Sequence, residues 1–379
     1  MLLKDVKVHI VSVPLKEAIH WTWQIIPITA FDFVVVEVRD EEGNAGYSAL
    51  YDGVSSKELL MKYKMFIEGI VKWALTSVEF EPRDLHRIAS ICTHHYMRIG
   101  FLEAAIWDLM ARREGKPLCK LLGGCRKRVK VYASMGRLVD VDIAKRHIDW
   151  YLKQGIDIVK VRFHRPDPME DVKVLKELKK IYGSSVRFTV DANQALAVFP
   201  PFWDRWTALR VAEELYQLEV LWLEEPLYRE DVEGYVWLRS KSRVAIAGGE
   251  AEYGLSNVLR RIDVGMYDIV QYDATLDNGV YEALTIANYT ALKGLKYLAH
   301  AWNPGLGWLI NLHITASLPE HLSPYIETPL DPSWFWEEVM FAVCDKEPPK
   351  IVEGYVEIGD EPGTGYSISS EKIKKFSIS

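Results

Sequence analysis

The chain has 379 residues, 49% of them hydrophobic and 26% charged, which is ordinary for a folded globular protein and too long for one small core. Its formal net charge of −7 argues against a general binder of nucleic acid or of an anionic membrane, since both reward a basic surface. No stretch reaches the about eighteen uncharged apolar residues that a spanning helix needs.

The opening VKVHIVSVPL alternates like a strand and has no apolar run leading to a cleavage site, so the expected location is cytoplasmic. It and FDFVVVEVRD flank a tryptophan-rich segment, IHWTWQIIP (19–27), and DEEGNAGY then turns the chain. Helical patterns follow in SKELLMKYKMFIEGIVKWAL and in FLEAAIWDLMARREGKPLCKLLGG, which Gly123 and Gly124 stop. Of the 4 cysteines, Cys119 and Cys125 lack partners at zinc spacing and, with Cys92 and Cys344, are too scattered for a disulfide framework; buried free thiols are expected.

From residue 128 the rhythm changes. Short apolar runs alternate with amphipathic helices: KVYAS, DIVKVRF, VRFTVDAN, VLWLEEP, VAIAGGE, DIVQYD, KYLAH and SPYIET. They recur roughly every 24 to 34 residues, the spacing of βα units, and so many in series favour a closed barrel over an open sheet. No GxGxxG turn follows the first run, which lowers the case for a dinucleotide-binding fold. The last segment, IVEGYVEIGDEPGTGYSIS, returns to strand and turn chemistry and is expected to pack on the N-terminal part. The expected domains are a cap over 1–126, a barrel over 127–334, and a segment over 335–379 that returns to the cap.

Barrel enzymes carry their chemistry at the C-terminal ends of strands. Here those ends hold Lys160 and Arg162, Asp191, Glu224, Glu250, Asp273, His300 and Glu327. Singly, each carboxylate reads as a capping residue. Three on consecutive strands, Asp191, Glu224 and Glu250, would repel one another without a cation. Hard oxygen donors suit Mg²⁺, with Mn²⁺ as the other candidate. Glu225 follows Glu224 and faces the other way in a regular strand, so it is given a supporting role. Asp273 and His300 end neighbouring strands, close enough for a hydrogen bond that supports an imidazolium. The remaining histidines, His94 and His95 among them, read as core or surface residues.

These stretches resemble the enolase superfamily, in its mandelate racemase-like branch, over nearly the whole chain. KVR, DAN, LEEP, GGE, QYD and HAWNPGLG carry the likeness in the barrel, and FLEAAIWDLMARREGKPLCKLLGG resembles the end of the family's capping domain. The resemblance implies an α/β architecture, a (β/α)7β modified TIM barrel under an α+β cap. It implies Mg²⁺ on Asp191, Glu224 and Glu250, with Asn193 and Glu225 beside them. A His300–Asp273 dyad would face the substrate, and a protonated Glu327 would hydrogen-bond its carboxylate. The cap segment with His20, Trp21 and Trp23 would close over the site, although cap-core packing explains the tryptophans equally well.

One position departs from the racemase pattern. Where close relatives of that enzyme carry a second lysine base, this chain has Arg162, a poor proton acceptor and a good anion clamp. That favours chemistry His300 can run by itself: dehydration of an aldonic or aldaric acid to a 2-keto-3-deoxy product through an enediolate. An alternative makes Lys160 the base, depressed by Arg162, with His300 as the acid. His164 either contacts substrate or faces solvent. An isomerase of the same superfamily, needing a second base, and a non-catalytic sugar-acid binder, needing no dyad, are the competing readings. The expected partner is a small carboxylate, in a homo-oligomer.

Overall fold

A computed structural model of the chain describes residues 1–80, 84–88, 92, 97–250 and 252–378; His94 and His95 lie outside the described residues. Three antiparallel strands begin it: β1 (Leu3–Ile19), β2 (Ile28–Asp40) and β3 (Ala45–Leu50). The near-continuous apolar run of β2 reflects burial on both faces. Val34, Val36 and Val38 pack under the helices of the cap, whereas Phe31, Phe33 and Val35 join the larger core that continues into the barrel. Two of the cap helices are α1 (Lys57–Phe66), whose Ser56 caps Leu59 N, and α2 (Gly100–Arg113). Helix α2 approaches β3 so closely that a Cβ at Gly46 would overlap the Ala105 carbonyl.

The barrel then runs β4 (Arg128–Ser134), α3 (Val141–Lys153), β5 (Ile158–Arg162), α4 (Pro168–Tyr182), β6 (Arg187–Asp191), α5 (Arg205–Gln217), β7 (Trp222–Glu224) and α6 (Val232–Lys241). It continues through β8 (Ala245–Gly248), α7 (Leu255–Asp263), β9 (Ile269–Val270), α8 (Val280–Leu292), β10 (Lys296–Tyr297), α9 (Gly305–Ser317) and β11 (Tyr325–Pro329). Consecutive strands pair in parallel from β4 to β10, and β11 returns to β4 with Glu327 opposite Tyr132. Tyr297 N donates to Leu322 O at 3.0 Å across the remaining seam. Seven βα units and an eighth strand result, the expected (β/α)7β barrel. Asp167, Asp204 and Asp231 cap α4, α5 and α6 through their side chains, so each helix starts at a carboxylate that its N-terminal dipole favours. Helix α9 is buried on all sides from Gly305 to Ala316 because it lies between barrel and cap.

Two expectations need revision. The C-terminal segment divides its contacts: β12 (Ile351–Val352) and β13 (Tyr355–Glu357) form a hairpin on β4, with Val356 opposite Val129. The rest of the segment returns to the cap as expected: Gly363 bridges Pro117, Thr364 N donates to Asp108 Oδ1 at 2.6 Å, and β14 (Ser377–Ile378) pairs with Ile10 and Val11 of β1. The start of β4 projects below β5, which pairs only at Ala133 and Ser134, and β13 covers that open edge. Second, Cys119 and Cys125 form a disulfide, with Cα atoms 4.9 Å apart. Gly123, at φ +105°, and Gly124, where a Cβ would strike the Ser317 carbonyl, turn the chain back between them. The expected free thiols at these two positions are thus corrected: the pair closes one short local loop with a sequence separation of 6, outside any framework of several bridges. Cys92 and Cys344 are free and buried. Among the described residues no helix is long and apolar enough to cross a membrane.

Candidate active site

The mouth of the barrel collects the ionisable strand ends, and burial there is nearly complete. Lys160 is 0% exposed. Its Nζ lies 2.6 Å from Glu224 Oε1, 2.6 Å from Glu327 Oε1 and 3.6 Å from Asp191 Oδ2. Burial opposes its charge, but the Glu224 and Glu327 carboxylates outweigh burial and raise the ammonium above its ordinary value. That direction is opposite to the depression by Arg162 that a lysine base would need. Glu327 is affected in the opposite sense. Burial pushes it up, but Lys160 and His300 prevail and hold it at about 2, so it is ionised and not the protonated donor expected.

Arg162 is equally committed. Its Nη1 donates to Asp191 Oδ2, and to Asn193 Oδ1 at 3.2 Å, while Nε donates to Met135 O at 2.6 Å. Its guanidinium sits 5.0 Å from the Trp23 ring centroid and 5.9 Å from that of Trp302. The expected anion clamp is thus closed on the protein's own carboxylate.

Asp191 ends β6 and Glu224 ends β7, paired in register, with Glu250 just beyond β8. Asn193 and Glu225 adopt positive φ, +47° and +48°, which bends both strand exits into the mouth. Glu225 therefore escapes strict alternation and is buried along with Glu224. Its carboxyl is raised well above the usual range by burial and then by Glu250, Asp191 and Glu224. Asp191 rises to about 7 through burial, which Arg162 opposes and Glu224 reinforces. Glu250 is raised by burial, against the relief that His300 provides.

This clustering of mutually repelling oxygen donors fits a hard divalent cation. Among the described residues, however, no three such side chains close around a common point. Each of the three carboxylates meets a cation of the chain: Arg162 on Asp191, Lys160 on Glu224, and His300 Nε2 on Glu250 at 3.2 Å.

Across the mouth, His300 Nδ1 lies 2.9 Å from Asp273 Oδ2. Burial disfavours the imidazolium, but Glu250 and the Asp273 hydrogen bond push the group up to about 10. Asp273 is held by more than the histidine. Asn303 Nδ2 donates to it at 2.5 Å, Asn311 Nδ2 at 2.9 Å, and Thr275 gives both its N–H and its hydroxyl at 2.9 Å. Asn303 and Asn311 were not singled out in the sequence. The signal was there: Asn311 is polar on the otherwise apolar helix WLINL, and a buried amide needs a partner.

The cap segment divides its tryptophans between two jobs. Trp21 is fully buried and packs against Phe31, Tyr51, Trp302 and Phe335. Trp23 is half-buried, stacks on Trp21, and meets Trp302 and Arg162 at the mouth. Between them Thr22, also unremarked in the sequence, donates its hydroxyl to Asn193 Oδ1 at 2.6 Å. His20 is exposed and its Nε2 meets Gln24 O at 2.9 Å, so it stays within the cap segment. His164 lies just past β5, half-buried, with its imidazole pushed down by burial.

Comparison with known proteins adds four findings. Residues 142–373 match the family described as Enolase C-terminal domain-like. An arabinonate dehydratase of Saccharolobus solfataricus is 28% identical over 91% of this chain and 90% of its own. A 3,6-anhydro-alpha-L-galactonate cycloisomerase of Streptomyces coelicolor is also 28% identical, over 75% of this chain and 73% of its own. The crystal structure of an enolase from Bradyrhizobium, complexed with magnesium and mandelic acid, superimposes with a TM-score of 0.85 over 100% of this chain and 99% of that one. At 20% identity that likeness establishes the fold alone.

Proposed function

From the premise that the chain belongs to the enolase superfamily, we propose that it is a Mg²⁺-dependent dehydratase of a sugar acid, aldonic or aldaric, that yields a 2-keto-3-deoxy acid. One observation carries the choice of reaction: the two sides of the mouth are unequal. On the β5 side Lys160 is held protonated by two carboxylates, and Arg162 cannot accept a proton. On the other side His300 has a hydrogen-bonded carboxylate behind it and one ring nitrogen toward the mouth. Racemisation wants a base on each face; loss of water across adjacent carbons can use one group twice.

In this reading His300 Nε2, once Glu250 no longer holds it as the imidazolium, removes the α-proton and then delivers it to the departing 3-hydroxyl. Asp273 fixes the ring and supports its charge. Lys160 donates hydrogen bonds where charge grows on the substrate carboxylate, and Glu327 keeps Lys160 protonated. Asp191, Glu224 and Glu250, with Asn193 and Glu225 alongside, would hold Mg²⁺ or Mn²⁺, which would supply Lewis-acid stabilisation of the charge developing on the substrate carboxylate. Trp23 at the mouth and His164 just past β5 flank the distal part of the substrate, while His20 stays bonded to Gln24 O within the cap segment.

The second reading is cycloisomerisation, which the Streptomyces relative supports at the same identity. Incubating the protein with aldonic and aldaric acids plus Mg²⁺ and assaying 2-keto products separates the two. Ketone formation that EDTA abolishes is the expected result. Exchange of the α-hydrogen with solvent deuterium, without ketone, would establish the isomerase instead. Turnover that persists in EDTA would remove the metal assignment.

A further inference from the structure

Arg162 sits where three interactions meet. Through Nη1 it engages Asp191 Oδ2 and Asn193 Oδ1. Asn193 in turn binds Asp191, its N–H donating to Oδ1 at 2.8 Å and its amide to Oδ2 at 3.3 Å, and accepts the Thr22 hydroxyl of the cap. The face of the guanidinium lies against Trp23, also of the cap. One cation therefore touches a carboxylate assigned to the metal, the residue that aligns that carboxylate, and the segment that covers the mouth.

Resting on the metal-dependent reading above, we propose that Arg162 is a built-in stand-in cation that occupies Asp191, sets the affinity of the metal site, and couples metal binding to the cap. Asp191 Oδ2 cannot serve a divalent ion and the guanidinium at full strength together, because two cations on one oxygen repel. Binding a metal at Asp191 therefore loosens the Arg162–Asp191 pair. The guanidinium is anchored to the backbone at Met135 O and flanked by Trp23 and Trp302, so it has a place to remain while it lets go of the carboxylate. Its forked donors then face the mouth, where the carboxylate of a substrate can replace that of Asp191. Trp23 and the Thr22–Asn193 bond register the shift because they contact the two groups that move.

The test is Mn²⁺ binding to the full-length protein, with bound metal counted by electron paramagnetic resonance and the tryptophan emission followed in the same titration. In the wild type the emission should change and saturate together with Mn²⁺ occupancy. In Trp23→Phe the emission change should largely vanish while Mn²⁺ affinity stays within about twofold. In Arg162→Met, Mn²⁺ should bind at least tenfold more tightly, since a competing cation is gone and an unpaired carboxylate is left behind. Unchanged or weaker binding in Arg162→Met overturns the stand-in role. Should that variant fail to fold, Arg162→Lys, which keeps the charge but not the fork, is read by the same criterion with a smaller tightening expected. Emission in the wild type that ignores Mn²⁺ occupancy overturns the coupling to the cap. A wild type that binds no Mn²⁺ at all removes the metal reading itself, an outcome distinct from both.

Discussion

The two walls of the barrel mouth use charge in different ways. On the β5 wall, Lys160 and Arg162 are neutralised by carboxylates from other strands, in ion pairs that could be exchanged for a metal or a substrate. On the β10 wall, His300 depends on Asp273, and Asp273 is saturated by Asn303, Asn311 and Thr275. A carboxylate with so many donors has little freedom to leave. On the proposed reading, one wall is free to rearrange and the other is held aligned, the arrangement a single repeated proton transfer would require.

The largest effect should come from removing the fixed group. His300→Asn should lower kcat on the true substrate by on the order of 10³-fold or more, with the near-UV circular dichroism spectrum retained; full turnover would falsify the one-base proposal. Asp273→Asn tests the alignment behind it. It should cost about 10²- to 10⁴-fold in kcat with a small change in KM, because the ring loses the carboxylate that supports its charge. An equal loss in KM would place Asp273 in substrate binding instead.

The tryptophans extend the same contrast to the cap. Trp21→Ala should destabilise the protein by about 3–5 kcal/mol in chemical denaturation, since Trp21 is wholly enclosed by aromatic neighbours. Trp23→Ala, at the half-buried mouth, should cost clearly less and alter KM more. The reverse order would mean that Trp23 belongs to the packing and Trp21 to the pocket.

The smallest effect lies away from the mouth. His313 is buried on α9, accepts Cys119 N at its Nδ1, 3.2 Å away, and is pushed down to about 4 by burial. Its depressed value means the unfolded chain takes up the proton more readily than the folded one. Its contribution is whole above the ordinary histidine value of 6.5 and is lost as the pH falls from there toward 4, on the order of 3 kcal/mol at most. In His313→Gln the stability should fall less steeply over that window; an unchanged slope would point to other groups.

Much of this protein was decided by residue order alone. The period of apolar runs from KVYAS to SPYIET required alternating strands and helices, and the ionisable residue at the end of nearly every run named the working face of the barrel. The Asp273–His300 pair followed from neighbouring strand ends, because parallel strands fix which residues lie side by side. The tertiary structure decided matters that hang on long-range partners or on single backbone angles. The positive φ at Glu225 brought a second glutamate into the mouth, and two glycines brought Cys119 to Cys125. Protonation was decided there too: Lys160 stays charged and Glu327 stays ionised because burial and opposite charge act together at distances the sequence does not contain. Arg162 shows the division most sharply. Its place on the polar face of β5 was legible in the sequence, but its grip on Asp191 and its contact with Trp23 exist only because the cap folds over the barrel.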